Sequence, residues 1–248
     1  MAKKNLIKKE NIFTIITVRT DSKRLPKKCL RPINKKKVIE IIIKRSKKIG
    51  YPIILATTEN KSDNILCNLA RKNRIAYFRG SKKNVLKRWN DCISNFNISI
   101  AIIVDADDLL FDFTAYKKAA KIIVKKKYDY IKADENSITG LFTYIFKSKV
   151  LKKIYNKHGN KNIETPQPFL SKDFKYHSLN LKKDKKLRFT LDYPEDLVFF
   201  KKIFSIFPFT VETTEVINYL KNYKNLSKIN FFRQKDYLNN QKKNYEKL

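Results

Sequence analysis

Six cationic side chains crowd one short stretch of the chain: Arg19, Lys23, Arg24, Lys27, Lys28 and Arg31 in VRTDSKRLPKKCLRPI, residues 18–33. Such a loop suits a polyphosphate, because a planar guanidinium pairs with phosphate oxygens two at a time and ammonium groups add point charges. Ser22 and the loop N–H groups add uncharged donors. A second segment, IIVDADDLLFD at 102–112, runs an apolar stretch straight into Asp105, Asp107, Asp108 and Asp112. Carboxylates packed together repel one another unless a cation joins them. Mg²⁺ takes one or two carboxylates together with substrate phosphates. A third segment, LRFTLDYPEDL at 187–197, places Asp192 just ahead of Pro194. Aspartates at a strand end opposite a basic loop are what a metal-dependent nucleotide transfer needs.

Each segment also has a plainer reading. In a chain of formal charge +33, a basic loop can be ordinary solvated surface. Asp112 can cap a helix beginning near Thr114, and Asp105 and Asp108 can cap or pair with a cation. Asp192 can cap the helix that follows it. Cys29 lies beside the basic loop, where a bystander thiol is the expectation. His158 and His177 are expected to pack rather than to touch a ligand.

Composition narrows the chemistry. The four glycines are Gly50, Gly80, Gly140 and Gly159, none of them in the basic loop. With no GxGxxG and no P-loop, dinucleotide dehydrogenases and P-loop kinases are disfavoured, and side chains must hold the phosphates. The three cysteines have no CxxC spacing and no nearby histidine, which argues against a zinc site or a disulfide framework. Only ten of the 56 basic residues are Arg, the usual reader of base edges, and Lys is spread along the whole chain. That pattern fits a lysine-rich solvated surface with a weak, salt-sensitive attraction to polyanions rather than a specific nucleic-acid reader. No apolar run approaches the ~20 residues of a membrane span. The N-terminal MAKKNLIKKE lacks the apolar core of a signal peptide. A cytoplasmic protein without membrane contact is expected.

The elements that must position these segments alternate. Apolar, β-branched runs predict strands at 12–18, 52–56, 75–78 and 98–104. Helices are expected over 37–48, stopped by Gly50, then from Ser62 or Asp63 to 73, over 84–95 and over 114–126. This alternation predicts a parallel, doubly wound sheet, whose ligands bind beyond the carboxyl ends of the strands. The loops 19–28, 57–61, 79–83 and 105–112 should then gather on one edge. Beyond residue 127, strands are expected at 128–132, 139–146, 176–181 and 187–191, with helices over 148–155 and from Pro194 to Ile206 and a loop at 158–162. The polar stretch 221–248 reads as an extension of a domain spanning 1–220, either fraying or docking as a small helix.

A resemblance ties the segments together. RTDSKRLPKK is similar to the RxxSxRLPxK signature of the cytidylyltransferases of the spore-coat polysaccharide type, relatives of CMP-sialate and CMP-Kdo synthetases. ATTENKSDN, FRGSKKNVLKRW at 78–89, VDADDLLFD, IETPQPF at 163–169, RFTLDYPEDL and INFFRQKDY resemble further segments of that family in order, from about residue 12 to 240. The resemblance implies a Rossmann-like three-layer α/β/α sandwich, the nucleotide-diphospho-sugar transferase fold, with a mostly parallel sheet. It implies that Arg19, Ser22, Arg24 and Lys28 hold the triphosphate and that Arg79, Gly80 and Ser81 lie near the base or ribose. It makes Asp107 and Asp192 the ligands of Mg²⁺, and Arg19, Lys28 and Asp107 the catalytic set. The implied partners are CTP and a small acidic sugar, with room for a homodimer. Four positions depart from the pattern: Asp21 and Lys27 stand where the family usually has Gly, Ala106 stands for Gly, and Leu109 stands for Pro. They leave open a paralogue of weak activity. A glycosyltransferase of similar fold and a basic nucleic-acid-binding protein are the rival readings.

Overall fold

In the computed structural model, residues 11–159, 161–170, 173–184 and 186–245 are described. The N-terminal basic segment read for a signal peptide, Asn160 of the expected 158–162 loop and the last three residues of the polar extension lie outside them.

The first half builds the expected alternation. Strand β1 (Ile12–Thr17) leads through the basic loop to a two-residue hairpin, β2 (Pro32–Ile33) and β3 (Lys36–Lys37). Asn34 and Lys35 turn the hairpin with φ of 45° and 63°. Helix α1 (Val38–Lys47) follows, its start braced by Glu40 accepting from the Lys37 N–H at 2.9 Å. Then come β4 (Ile53–Thr58), α2 (Asn64–Lys72), β5 (Ala76–Gly80), α3 (Val85–Asn95), β6 (Ile100–Asp105) and α4 (Phe113–Lys125). Asn84 caps α3 by accepting from the Lys87 N–H at 2.8 Å, and Asp112 caps α4 by accepting from the Ala115 N–H at 2.9 Å. The capping role therefore accounts for Asp112.

The sheet has seven strands in the order β5-β4-β1-β6-β8-β7-β9, with β7 at Tyr130–Ala133, β8 at Tyr144–Lys147 and β9 at Tyr176–Leu179. Only β8 runs antiparallel to its neighbours. Side-chain alternation sends successive residues to opposite faces. Ile16, Leu55, Ile102 and Val104 pack beneath α1, α2 and α4, while Ile15, Ile54, Ala101 and Ile103 pack beneath α3 and α5 (Ser148–His158). The result is the α/β/α sandwich of the nucleotide-diphospho-sugar transferases. The strand order reverses between β1 and β6, which opens a crevice at their carboxyl ends.

One expected strand is shortened and another is lost, both for one reason. The stretch 139–146 becomes strand only at Tyr144, because Gly140 bends the chain with φ 89°. A Cβ there would lie 2.6 Å from the Phe189 carbonyl carbon, so the stretch 187–191 presses directly on it. That stretch makes one isolated bridge, Thr139 to Arg188, and otherwise crosses as extended chain. Its N–H groups are satisfied by loops: Phe189 donates to the Thr139 carbonyl at 2.9 Å and Leu191 to the Asp107 carbonyl at 2.8 Å.

Helix α6 (Pro194–Ile206) starts at the expected proline. The expected boundary at residue 220 falls inside α7 (Thr213–Asn222), and the polar stretch beyond it forms α8 (Lys224–Phe231) and α9 (Arg233–Tyr245). Both dock. Asn230 donates to Asp196 at 2.9 Å, and Arg233 pairs with Glu195 at 2.8 Å. No helix of the described residues is long and apolar enough to cross a membrane.

Arg45 of α1 is fully buried, stacks on Phe111 and Phe113, and donates to the carbonyls of Phe209, Val211 and Phe111 and to the Thr213 hydroxyl. It joins α1 to the segments that lead into α4 and α7. Arg45→Ala leaves four acceptors short of a donor and opens a cavity, so it is expected to remove about 3–5 kcal/mol of unfolding free energy. Urea unfolding of the two chains measures this directly.

Candidate active site

The crevice is built where the basic loop after β1 meets the loops after β4, β5 and β6. Asp63 sets that meeting. Its carboxylate is buried at the end of the β4–α2 turn and accepts from the Thr20 N–H at 2.9 Å, the Thr20 hydroxyl at 2.6 Å, the Thr57 hydroxyl at 3.0 Å, the Thr58 N–H at 3.2 Å and the Thr58 hydroxyl at 2.5 Å. Burial opposes ionisation, but these donors win and hold its pKa below the ordinary 3.8. The expected cap of α2 is thus a clamp between the basic loop and β4.

Beyond the clamp the loop turns its cations inward. The Lys28 ammonium bridges Asp107 and Asp192, at 3.0 Å from the latter, and Arg24 reaches the same Asp192 oxygen at 2.5 Å. Arg24 also lies over the Tyr193 ring at 5.6 Å. Burial would lower the Lys28 pKa, yet the two carboxylates raise it above the usual lysine range. Burial likewise opposes charge on Asp192, but Lys28 and Arg24 pull it down to about 2. A lysine and two aspartates from three distant segments therefore meet as one partly buried ion cluster.

Asp192 is not a helix cap. The cap of α6 is made by Asp196, which accepts from the N–H groups of Asp192 and Tyr193 at 2.8 and 2.9 Å. That leaves both Asp192 oxygens for cations. One takes Lys28 and Arg24, and the other takes Arg188 at 3.2 Å. Arg188 has a fully buried side chain and also bonds Asp196 at 3.0 Å and Gln234 of α9 at 3.1 Å. Its guanidinium lies 4.6 Å from the Tyr237 ring centre.

Asp105, Asp107 and Asp108 offer carboxylate oxygens that lie within 4.8 Å of one another. Burial and the neighbouring Asp107 push Asp105 up to about 7. The same causes, with Asp105 added, raise Asp108 well above the usual range. Asp105 accepts from Thr143 at 3.3 Å and Asp108 is hydrogen-bonded to Thr190. Among the described residues neither has a cationic partner within 4 Å, so the expected capping or ion-pair roles do not account for them. Three crowded carboxylates, two of them short of a counter-charge, fit a divalent cation.

The other residues of the expected site divide. Arg19 donates to the Lys82 carbonyl at 3.3 Å and pairs with Glu164 at 3.2 Å, at the rim of the same crevice. Ser22 sits half-buried in the loop. The Arg79 guanidinium is held by the Thr58 and Asn60 carbonyls and by Asn64, so it braces the β4–α2 turn. Gly80 lets α3 close on β5, since a Cβ there would meet the Arg88 side chain at 3.1 Å. The Ser81 hydroxyl accepts from the Asn84 N–H at 3.1 Å. Cys29 is buried, its thiol pushed up to about 12 by burial, and is no nucleophile at neutral pH. His158 packs on Phe169 and His177 on Tyr128, as expected.

Over residues 13–244 the chain matches the cytidylyltransferase family. It belongs to that family. This cytidylyltransferase is 29% identical over 239 residues to an uncharacterised protein of Methanocaldococcus jannaschii, a match covering 91% of this chain and 97% of the other. Its fold is similar to that of a cytidylyltransferase from Leptospira borgpetersenii serovar Hardjo-bovis, with TM-score 0.79 and 21% identity over 88% of this chain and 96% of that one. It is also similar to a CMP:2-keto-3-deoxy-manno-octonic acid synthetase complexed with CTP, with TM-score 0.61 and 11% identity over 79% of this chain and 99% of that one.

The departures from the family pattern now have locations. Lys27 stands in the left-handed region at φ 54°, a conformation that favours the family's glycine. Asp21 turns to Lys82 at 2.8 Å, so its charge is met outside the cluster. Ala106 and Leu109 are buried in the packing beneath the aspartates. Arg188, Thr143 and Thr190 escape sequence reading because their partners are set by a crossing of extended chain, where no helical or strand period relates them; Asp196 is legible as an acid in the first turn of α6, but not its bonds to Arg188 and Asn230.

Asp63→Asn puts an amide N–H₂ among donors and is expected to cost about 2–3 kcal/mol at neutral pH. The folded Asp63 pKa is depressed, so its stabilisation is complete above 3.8 and fades as pH falls through the folded value. Unfolding curves of wild type and Asp63→Asn should therefore converge below pH 3.8. A gap that stays constant with pH would place the effect elsewhere.

Proposed function

We propose that this cytidylyltransferase moves CMP from CTP to a small acidic sugar and releases pyrophosphate. The observation that carries the reading is the meeting of Lys28 and Arg24 with Asp107 and Asp192 at the carboxyl ends of β1 and β6. A relative of the same fold, the CMP:2-keto-3-deoxy-manno-octonic acid synthetase, is complexed with CTP.

In this reading Lys28 and Arg24 exchange their carboxylate partners for phosphate oxygens, and Arg19 joins them from the rim. Ser22 and the loop N–H groups add neutral donors. Gly80 and Ser81 shape the corner where the ribose or base lies, and Arg79 holds that corner in place. Asp107 and Asp192, with Asp105 and Asp108 beside them, would hold Mg²⁺, which supplies charge neutralisation at the α-phosphate. The acceptor hydroxyl attacks the α-phosphorus in line. A new P–O bond forms as the bond to pyrophosphate breaks, and the hydroxyl proton passes to solvent. Arg24 and Lys28 then face the charge that grows on the leaving group, so the contribution of the protein is placement and a fixed field. A cytoplasmic setting, where CTP is made, belongs to the same proposal.

Asp107→Asn is expected to lower the rate of pyrophosphate release by about a hundredfold or more while CTP binding survives. Lys28→Ala should weaken CTP binding. A coupled pyrophosphate assay with four triphosphates and a panel of acidic sugars, run beside CTP titrations of both variants, measures these effects. Full turnover by Asp107→Asn would sink the assignment.

A further inference from the structure

Two arginines of this chain are buried without a carboxylate within ion-pair distance among the described residues: Arg45 and Arg88. Their surroundings differ. Arg45 lies under α1 and donates to four oxygens. Arg88, 2% exposed on the second turn of α3, donates from Nη1 to the Ser81 carbonyl at 2.8 Å and from Nη2 to the Thr17 hydroxyl at 3.1 Å. Its Nε is buried with no hydrogen-bond partner. Thr17 ends β1 and stands in register with Asp105 of β6, and Ser81 begins the loop after β5. Arg88 thus sits under the floor of the crevice. Asp63, the buried acid on that side, already accepts five hydrogen bonds.

A buried cation without a counter-ion is costly to the folded chain unless something repays it. Burial, with Arg19 nearby adding to it, accordingly depresses the Arg88 pKa to about 10. Arg19 meets Glu164 at the rim, at 3.2 Å, so Arg88 is the buried guanidinium at this crevice that has no ion pair among the described residues. The Thr17 hydroxyl adds direction. Its oxygen accepts from Arg88, so its own hydrogen is left to donate elsewhere, and Thr17 is half-buried at the crevice.

We propose that Arg88 is a nucleotide-recognition residue: it supplies positive field beneath the crevice and, through Thr17, orients a hydroxyl donor toward an anionic oxygen of the bound nucleotide. The inference rests on the nucleotide reading of this crevice. It makes Arg88 a positioning residue that acts through Thr17 rather than one that touches the reacting atoms.

The test uses the full chain with CTP as the probe. Wild type should bind CTP and gain melting temperature with it; failure there overturns the nucleotide reading itself and with it this one. Given binding by wild type, Arg88→Met should leave the ligand-free melting temperature within a few degrees of wild type or raise it, because it removes an uncompensated buried charge. The same variant should weaken CTP binding tenfold or more. Thr17→Val, which keeps shape and loses the hydroxyl, should weaken it by about three- to tenfold. A ligand-free Arg88→Met that melts well below wild type or fails to fold, or a CTP affinity within twofold of wild type in either variant, overturns the proposal and returns Arg88 to a packing role.

Discussion

The site depends on one ion cluster: the Lys28 ammonium between Asp107 and Asp192. The three residues come from the loop after β1, the end of β6 and the crossing chain before α6. Sheet topology and the Asp63 clamp bring the first two to one edge, and the Leu191 N–H, bonded to the Asp107 carbonyl, fixes the third beside them. Holding the charges there in a partly desolvated crevice requires that the remaining lone pairs and protons find partners. Arg24 shares one oxygen of Asp192, and Arg188 takes the other. Asp196 caps the helix so that Asp192 need not. The clamp at Asp63 holds the basic loop at the height where Lys28 can reach. Each of these contacts serves the geometry of that one lysine.

Much of the scaffold was legible because two periodicities dominate it. The apolar runs of β1, β4 and β6 and the capped helices α3 and α4 announce themselves locally, and parallel topology then forces the loops to one edge. The basic loop and the strand-end aspartates were legible for the same reason. Residues 139–146 and 187–191 were not. Both have the composition of strands, but Gly140 turns one of them away and backbone contact with Phe189 fixes the other across it. The role of Asp192 could not be read locally either, since a residue ahead of Pro194 looks like a cap until Asp196 is seen to do that work.

Charge in this molecule is uneven in kind rather than amount. Lysines spread over the surface carry most of the formal +33 and meet water. The arginines do more specific tasks. Arg45 ties α1 to distant carbonyls, Arg79 holds the β4–α2 turn, Arg188 backs Asp192, and Arg233 docks α9 to α6. A rigid planar fork of donors suits such multi-point fixing better than a single flexible ammonium. Lys28, by contrast, sets a single ammonium between Asp107 and Asp192.

The docking of α9 also sets a timetable. Gln234 bonds Arg188 across 46 residues of sequence, so the outer partner of the arginine behind Asp192 is synthesised well after that arginine. At ordinary rates of synthesis that interval is about two to nine seconds. During it the sheet, the basic loop and the aspartates can already be in place while Arg188 has no outer partner. A nascent chain therefore passes through a stage in which Arg188 already meets Asp192 and Asp196 but lacks Gln234 behind it.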